Sequence, residues 1–231
     1  MNEIIQLFQK MYNEVIIEDG LHLSQIKKVV CREIMNAVTF DVDDGYPDTF
    51  YEIERESESL YKLYFRERGK RNTKFEGGNA NIAVIALFTL LLRFIPKSET
   101  INDIEETLTN EIRDGNISCA RQLIIQTFGD GVVSFDKIKY GRISVIPDGE
   151  ASIDILYQDD SIVIPTISRT KPSLERGYLI VFRDCCALDR FNRVITEISK
   201  MIGKISQNDK DKIAYVYLTG VLKNELTDNA R

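Results

Sequence analysis

Ile4, Phe8, Met11, Tyr12, Val15 and Ile16 recur at steps of three and four along the start of the chain. That period matches one face of an α-helix and predicts an amphipathic first helix ending near Asp19-Gly20. Ser24 can cap a second helix, with Val29, Val30, Ile34, Ala37 and Val38 as its apolar stripe. The pattern then shortens. Runs at 50–55 and 60–66 flank the polar turn Glu56-Ser57-Glu58-Ser59 and predict a β-hairpin. After a basic loop, Gly77-Gly78-Asn79 opens the most apolar stretch of the chain, a helix over 80–95 that Pro96 stops.

Two more helices are predicted over 101–112 and 117–128, separated by Asp114-Gly115-Asn116 and closed by Gly129-Asp130-Gly131. Strand-like runs follow at 132–135, 141–146, 152–157 and 162–168, with turns at Pro147-Asp148-Gly149 and Asp159-Asp160. Beyond Lys171-Pro172, a strand at 178–182, a helix at 188–205 and a strand at 213–218 follow in the order of a β-α-β unit. The expected class is α+β in three regions. These are a helical and hairpin region at 1–76, a middle region at 77–168 and a β-α-β region at 169–231.

The chain has 231 residues, 43% apolar and 29% charged, which is the composition of a folded globular protein. A net charge of −6 weighs against a surface devoted wholly to nucleic acid but leaves room for a local basic patch. Cys31, Cys119, Cys185 and Cys186 fit neither a disulfide framework nor a paired metal motif, so they read as reduced thiols in a cytoplasmic protein. The apolar run at 82–92 is shorter than the roughly 18 residues a bilayer span needs, and no N-terminal signal pattern is visible, so no membrane partner is expected.

Over 79–149, three helices lead to a glycine-rich turn, then to strands containing Tyr140-Gly141-Arg142-Ile143 and closing at Pro147-Asp148-Gly149. This order resembles a winged-helix domain, so the region 77–168 is read as winged-helix-like. In DNA-reading members the third helix enters the major groove, which would make Arg121 and Gln122 its polar contacts here. The rest of that helix is mostly apolar, which favours packing or protein contact. In size, acidity and helix-then-wing order the chain is similar to accessory subunits of chromosome-structuring (SMC-like) ATPase complexes and of related bacterial defence assemblies. The resemblance implies a non-catalytic scaffold that binds protein partners in a hetero-oligomer, associated with DNA or with antiviral defence.

Arg66, Arg68, Lys70, Arg71 and Lys74 cluster beside Tyr64, Phe65 and Phe75. Cations next to aromatic rings can hold phosphates while a ring packs on a base, which makes a nucleic-acid-binding protein the first alternative. A solvated loop with its aromatics in the core explains the same residues. Asp148, Glu150 and Asp154 precede two strands in the manner of restriction-type nucleases, but the next strand, Ile164 to Arg169, lacks the Glu-x-Lys such sites use. A divergent metal-dependent nuclease is therefore the second alternative, with an incomplete site.

Asp41, Asp43, Asp44, Asp48 and Glu52 invite comparison with a calcium loop, yet Tyr46 stands where that loop requires glycine, so a solvated acidic turn is expected. Cys185 and Cys186, placed at a strand end before a helix, could hold a thiolate stabilised by helix N–H groups, and the single His22 would be the partner base. Small buried cysteines at a strand end are much commoner, and His22 is far away in sequence. Gly77-Gly78-Asn79 lacks the Gly-Lys-Ser/Thr ending of a phosphate loop. No catalytic residue, metal site or cofactor is assigned from the sequence.

Overall fold

The first apolar stripe forms helix α1 (Asn2–Val15), which buries Phe8 and Met11. The chain then doubles back through the short antiparallel pair β1 (Ile16–Ile17) and β2 (Gly20–Leu21). The structure is a computed structural model that describes residues 2–17, 20–21, 27–31, 38–40, 49–57, 59–67, 70–92, 97–149, 152–158, 167–169 and 173–228.

In place of the second helix expected after Ser24, the chain forms strands β3 (Lys27–Cys31) and β4 (Val38–Phe40). Adjacent β-branched Val29 and Val30 favour extended backbone. Strand β5 (Thr49–Ser57) supplies the pairing that decides it, setting Val29 opposite Tyr51 and Lys27 opposite Ile53. The hairpin expected at 50–66 is present as β5 and β6 (Leu60–Glu67). The stretch read as a basic loop is largely a further strand, β7 (Lys70–Gly77), with Arg66 on the backbone of β6 opposite Arg71. These strands make one sheet in the order β4-β3-β5-β6-β7.

Ile53, Leu63 and Phe75 are buried on this sheet. Against β5, β6 and β7 packs α2 (Ala80–Leu92), in which every residue but Asn81 is buried. A helix apolar all round must be enclosed, and this one is. Asn79 caps it, its Oδ1 accepting the Ile82 N–H at 2.9 Å. Phe88 meets Phe8 of α1 edge-on with ring centroids 5.1 Å apart. Gly77 is required by close approach, because a Cβ there would lie 2.5 Å from the Phe75 ring.

The next elements are α3 (Glu99–Arg113), α4 (Ile117–Phe128), β8 (Val133–Phe135), β9 (Ile143–Asp148), β10 (Ser152–Tyr157) and β11 (Ile167–Arg169). Ser98 caps α3, and Gly129 ends α4 with a positive φ of 71°. The four strands form a sheet in the order β11-β10-β9-β8, antiparallel except for β8, which runs parallel to β9. The chain closes with two helices, α5 (Leu174–Ile202) and α6 (Gln207–Asp228).

The expected C-terminal β-α-β unit is thus corrected to a helical pair. Tyr178, Val181, Phe182, Cys185 and Leu188 are all buried. Their spacing is one helical stripe, and neighbouring residues Val181 and Phe182 cannot both point into the core from one face of a strand. The same holds in α6 for the adjacent buried pairs Ile213–Ala214 and Tyr217–Leu218.

By compactness the chain divides into two units, Met1–Ile95 with Val194–Tyr217, and Pro96–Arg193 with Leu218–Arg231. These differ from the regions 1–76, 77–168 and 169–231, because α2 belongs with the first sheet and not with α3 and α4. The class is α+β. Among the described residues, no helix is long and apolar enough to cross a membrane.

Candidate interaction site at the β8–β9 loop

Parallel neighbours normally need a long crossover, because the chain must travel back along the first strand before starting the second. Strand β8 is three residues long, so that return covers only about 10 Å at roughly 3.3 Å per residue, and the stretch 136–142 suffices. Asp136 and Gly141 take the two left-handed conformations that turn the chain, with φ of 63° and 68°.

The sheet beneath holds this loop at several points. The Asp136 N–H donates to the Val145 carbonyl at 2.9 Å, and the Gly141 N–H donates to the Gln158 carbonyl at 2.7 Å. Ser134 donates its hydroxyl to the Lys137 carbonyl at 3.0 Å. Ser144 Oγ accepts the Lys139 N–H at 3.0 Å and donates back to the Lys139 carbonyl at 3.4 Å. Ser134 and Ser144 are both buried, and these bonds satisfy hydroxyls that would otherwise be costly in a core.

At the foot of the loop, Arg121 of α4 pairs with Asp136, 2.5 Å to one carboxylate oxygen and 3.4 Å to the other. Its guanidinium also lies 4.6 Å from the Phe135 ring centroid, and Phe135 stacks on Tyr178 of α5 at 6.1 Å. Burial, more than the charges nearby, raises the Tyr178 pKa. Above this anchored base the loop presents Ile138 at 52% and Tyr140 at 57% relative exposure, flanked by exposed Lys137 and Lys139. The pair is hidden in the sequence, because Tyr140 reads as part of the strand segment Tyr140-Gly141-Arg142-Ile143. Ser134 and Ser144, each two residues outside the 136–142 loop, are the one local signal, and their burial emerges only in the fold.

The basic cluster has a different setting. Lys70, Arg71 and Lys74 lie on β7, at the end of its sheet in the observed strand order. Arg71 pairs with Glu54 and lies 3.5 Å from the centroid of the Tyr64 ring, while Lys74 lies 5.5 Å from that of Phe65. Tyr64 donates to Glu56 at 2.6 Å, and Lys62 pairs with Glu56 at 2.7 Å and with Glu76 at 3.4 Å. The hydrogen bond from Lys62 is the main cause holding the Glu56 carboxyl below its ordinary pKa. Acid and base thus alternate across β5, β6 and β7. Cations and a bulge on an outer strand also discourage edge-to-edge pairing, which accounts for this composition without a phosphate ligand. Arg121 belongs to the other unit, and Arg68 and the Arg66 side chain lie outside the described residues.

Asp148 and Asp154 share one face of the β9–β10 hairpin, opposite Ser152 and Ile146 respectively. Asp148 accepts the Ser152 hydroxyl at 3.2 Å, and Glu150 lies outside the described residues. Among the described residues, no three His, Cys, Asp or Glu side chains gather as a metal site. The acidic turn 41–48 and His22 also fall outside.

Cys185 and Cys186 are not at a helix start but well inside α5. Burial drives both thiols away from the reactive form, Cys185 well above the ordinary range and Cys186 to about 12. Alkylation of the native protein at pH 8 is therefore expected to label exposed Cys119 before Cys185 and Cys186. Cys186 lags, with about a thousandfold less thiolate than an ordinary cysteine. Equal labelling of Cys119 and Cys186, read by peptide mass spectrometry, would contradict this placement.

Near Cys186, Lys97 at 2.6 Å and Arg183 at 2.9 Å both pair with Glu105. Burial works to raise the Glu105 pKa, and the hydrogen bonds from Lys97 and Arg183 outweigh it, leaving the carboxyl below its reference value of 4.5. Its contribution to stability is present above that reference and is lost as pH falls through the lower folded value. Glu105→Gln should remove on the order of 1 kcal/mol at pH 7 and progressively less below 4.5. A loss independent of pH would contradict the pairing. No protein-family profile, curated protein or solved structure matches this chain.

Proposed function

We propose that this chain is a non-catalytic accessory subunit that holds another protein through the 136–142 loop. One observation carries the reading: Ile138 and Tyr140 are about half exposed on a loop fastened from below by two buried serines and three backbone N–H groups. Exposed apolar side chains on an ordered loop avoid the entropy loss that a floppy one suffers on binding. Tyrosine is also among the residues that dominate interface energetics. Two of the cations that suggested nucleic-acid binding are engaged with carboxylates, Arg71 with Glu54 and Arg121 with Asp136. With α2 packed on the first sheet, only α3, α4 and the β9–β10 hairpin remain of the winged-helix-like order, and a place in an assembly associated with DNA or antiviral defence rests on that partial likeness.

Co-expression with the proteins encoded beside it, followed by nuclease treatment and affinity capture, tests the proposal. The wild-type chain should retain a stoichiometric protein, and Ile138→Ser with Tyr140→Ser should reduce that recovery at least about tenfold, as loss of two central apolar contacts does. The unfolding midpoint should not move. A complex indifferent to these substitutions would overturn the assignment, as would retention of nucleic acid alone.

A further inference from the structure

We infer that the partner meets the β8–β9 loop with an acidic segment that carries at least one apolar side chain. The inference rests on the proposal above and specifies the chemistry of what the loop grips. Lys137, Lys139 and Arg142 alternate with or follow Ile138 and Tyr140 along the loop, and none of the three cations is in an ion pair with a described residue. The acid closest in sequence, Asp136, is already occupied by Arg121. A basic cluster with no ion-pair partner among the described residues, on a protein of net charge −6, is a local feature that selects an anionic counterpart.

Protein fits that counterpart better than nucleic acid. A phosphate backbone is held along a basic track, but the exposed residues of α4, the helix that anchors this loop, are Ser118, Cys119, Gln122, Ile125 and Gln126, all uncharged. The charged exposed positions of α3 are Glu99, Asp103 and Glu106, with Arg113 its single cation. Ile138 further offers a branched aliphatic surface, which finds a match in a side-chain pocket and gains nothing from stacking on a base.

The test places p-benzoylphenylalanine at position 140 of the full chain, co-expressed with its neighbours, and identifies the photo-crosslinked segment by mass spectrometry. Crosslinking to an acidic segment of a different protein is expected. Its yield should fall about tenfold or more with Lys137→Glu and Lys139→Glu together, and be kept by the two Lys→Arg exchanges. Raising salt from about 0.05 to about 0.5 M should also lower it, since exposed charges are screened. A crosslinked segment that is neutral or basic, or a yield indifferent to charge reversal, overturns this inference while leaving the accessory-subunit reading in place. Crosslinks to nucleic acid, phospholipid or a second copy of this chain, or no crosslink at all, overturn both.

Discussion

Phe88→Ala is expected to lower the free energy of unfolding by about 3–5 kcal/mol, measured by chemical denaturation. Phe88 is fully buried in the middle of α2, and its ring meets the edge of Phe8, so truncation leaves a cavity lined by residues that cannot all close in. Its helix is buried at every position but Asn81, near its N-terminus, so Phe88 has no solvent-facing neighbour in the helix through which the loss could be relieved. The half-buried Asn81 is the control. Asn81→Ala forfeits the hydrogen bond from Tyr12 and should cost only about 1 kcal/mol. A Phe88→Ala loss below about 1 kcal/mol would mean that α2 is not the core element described here.

The second large effect is in α5. Phe182→Ala should also cost about 3–5 kcal/mol, because this ring is fully buried and packs edge-on against Phe128 of α4 at 5.3 Å. Its neighbours separate helix from strand. In the helix, Val181 is buried beside Phe182 whereas Ile180 is only half-buried, so Val181→Ala should cost about 2 kcal/mol and Ile180→Ala under about 1. A strand with one buried face would place Ile180 and Phe182 together and turn Val181 outward, reversing the order of the two smaller effects. The three variants together therefore test the element as well as its packing.

That test matters because 178–182 is where local sequence misleads. Tyr178-Leu179-Ile180-Val181-Phe182 has the aromatic and β-branched content of a strand, and the helical stripe becomes visible only when Cys185, Leu188 and Phe191 are counted with it. The opposite error occurred at 24–38, where three- and four-residue spacings suggested a helix but pairing with Tyr51 and Ile53 on β5 made Val29 and Lys27 part of a strand. A distant partner decided the matter, and no window of sequence contains it. Where the signal was self-contained, the reading agrees with the structure. Asp114-Gly115-Asn116 separates α3 from α4, Gly129 ends α4, and the β5–β6 hairpin follows the predicted runs.

The interaction loop was legible only in part. Gly141 reads in the sequence as the start of a strand, whereas it closes the loop in a left-handed conformation, and the exposure of Ile138 and Tyr140 depends on β8 running parallel to β9, a pairing that no local pattern announces. Arg121 was noticed as a polar residue on an apolar helix. Its bond to Asp136 and its position over Phe135 emerge only once α4 and β8 are packed together.

Hydrogen exchange across 132–146, compared in the free chain and in the co-purified complex, tests the central claim most directly. In the free protein the amides of Asp136, Lys139 and Gly141, which donate to Val145, Ser144 and Gln158, should already exchange slowly, with those of Ile138 and Tyr140 fast. In the complex, Ile138 and Tyr140 should slow markedly while the others barely change. Fast exchange throughout the free loop would contradict its fastening, and an unchanged Ile138–Tyr140 pair in the complex would place the partner elsewhere.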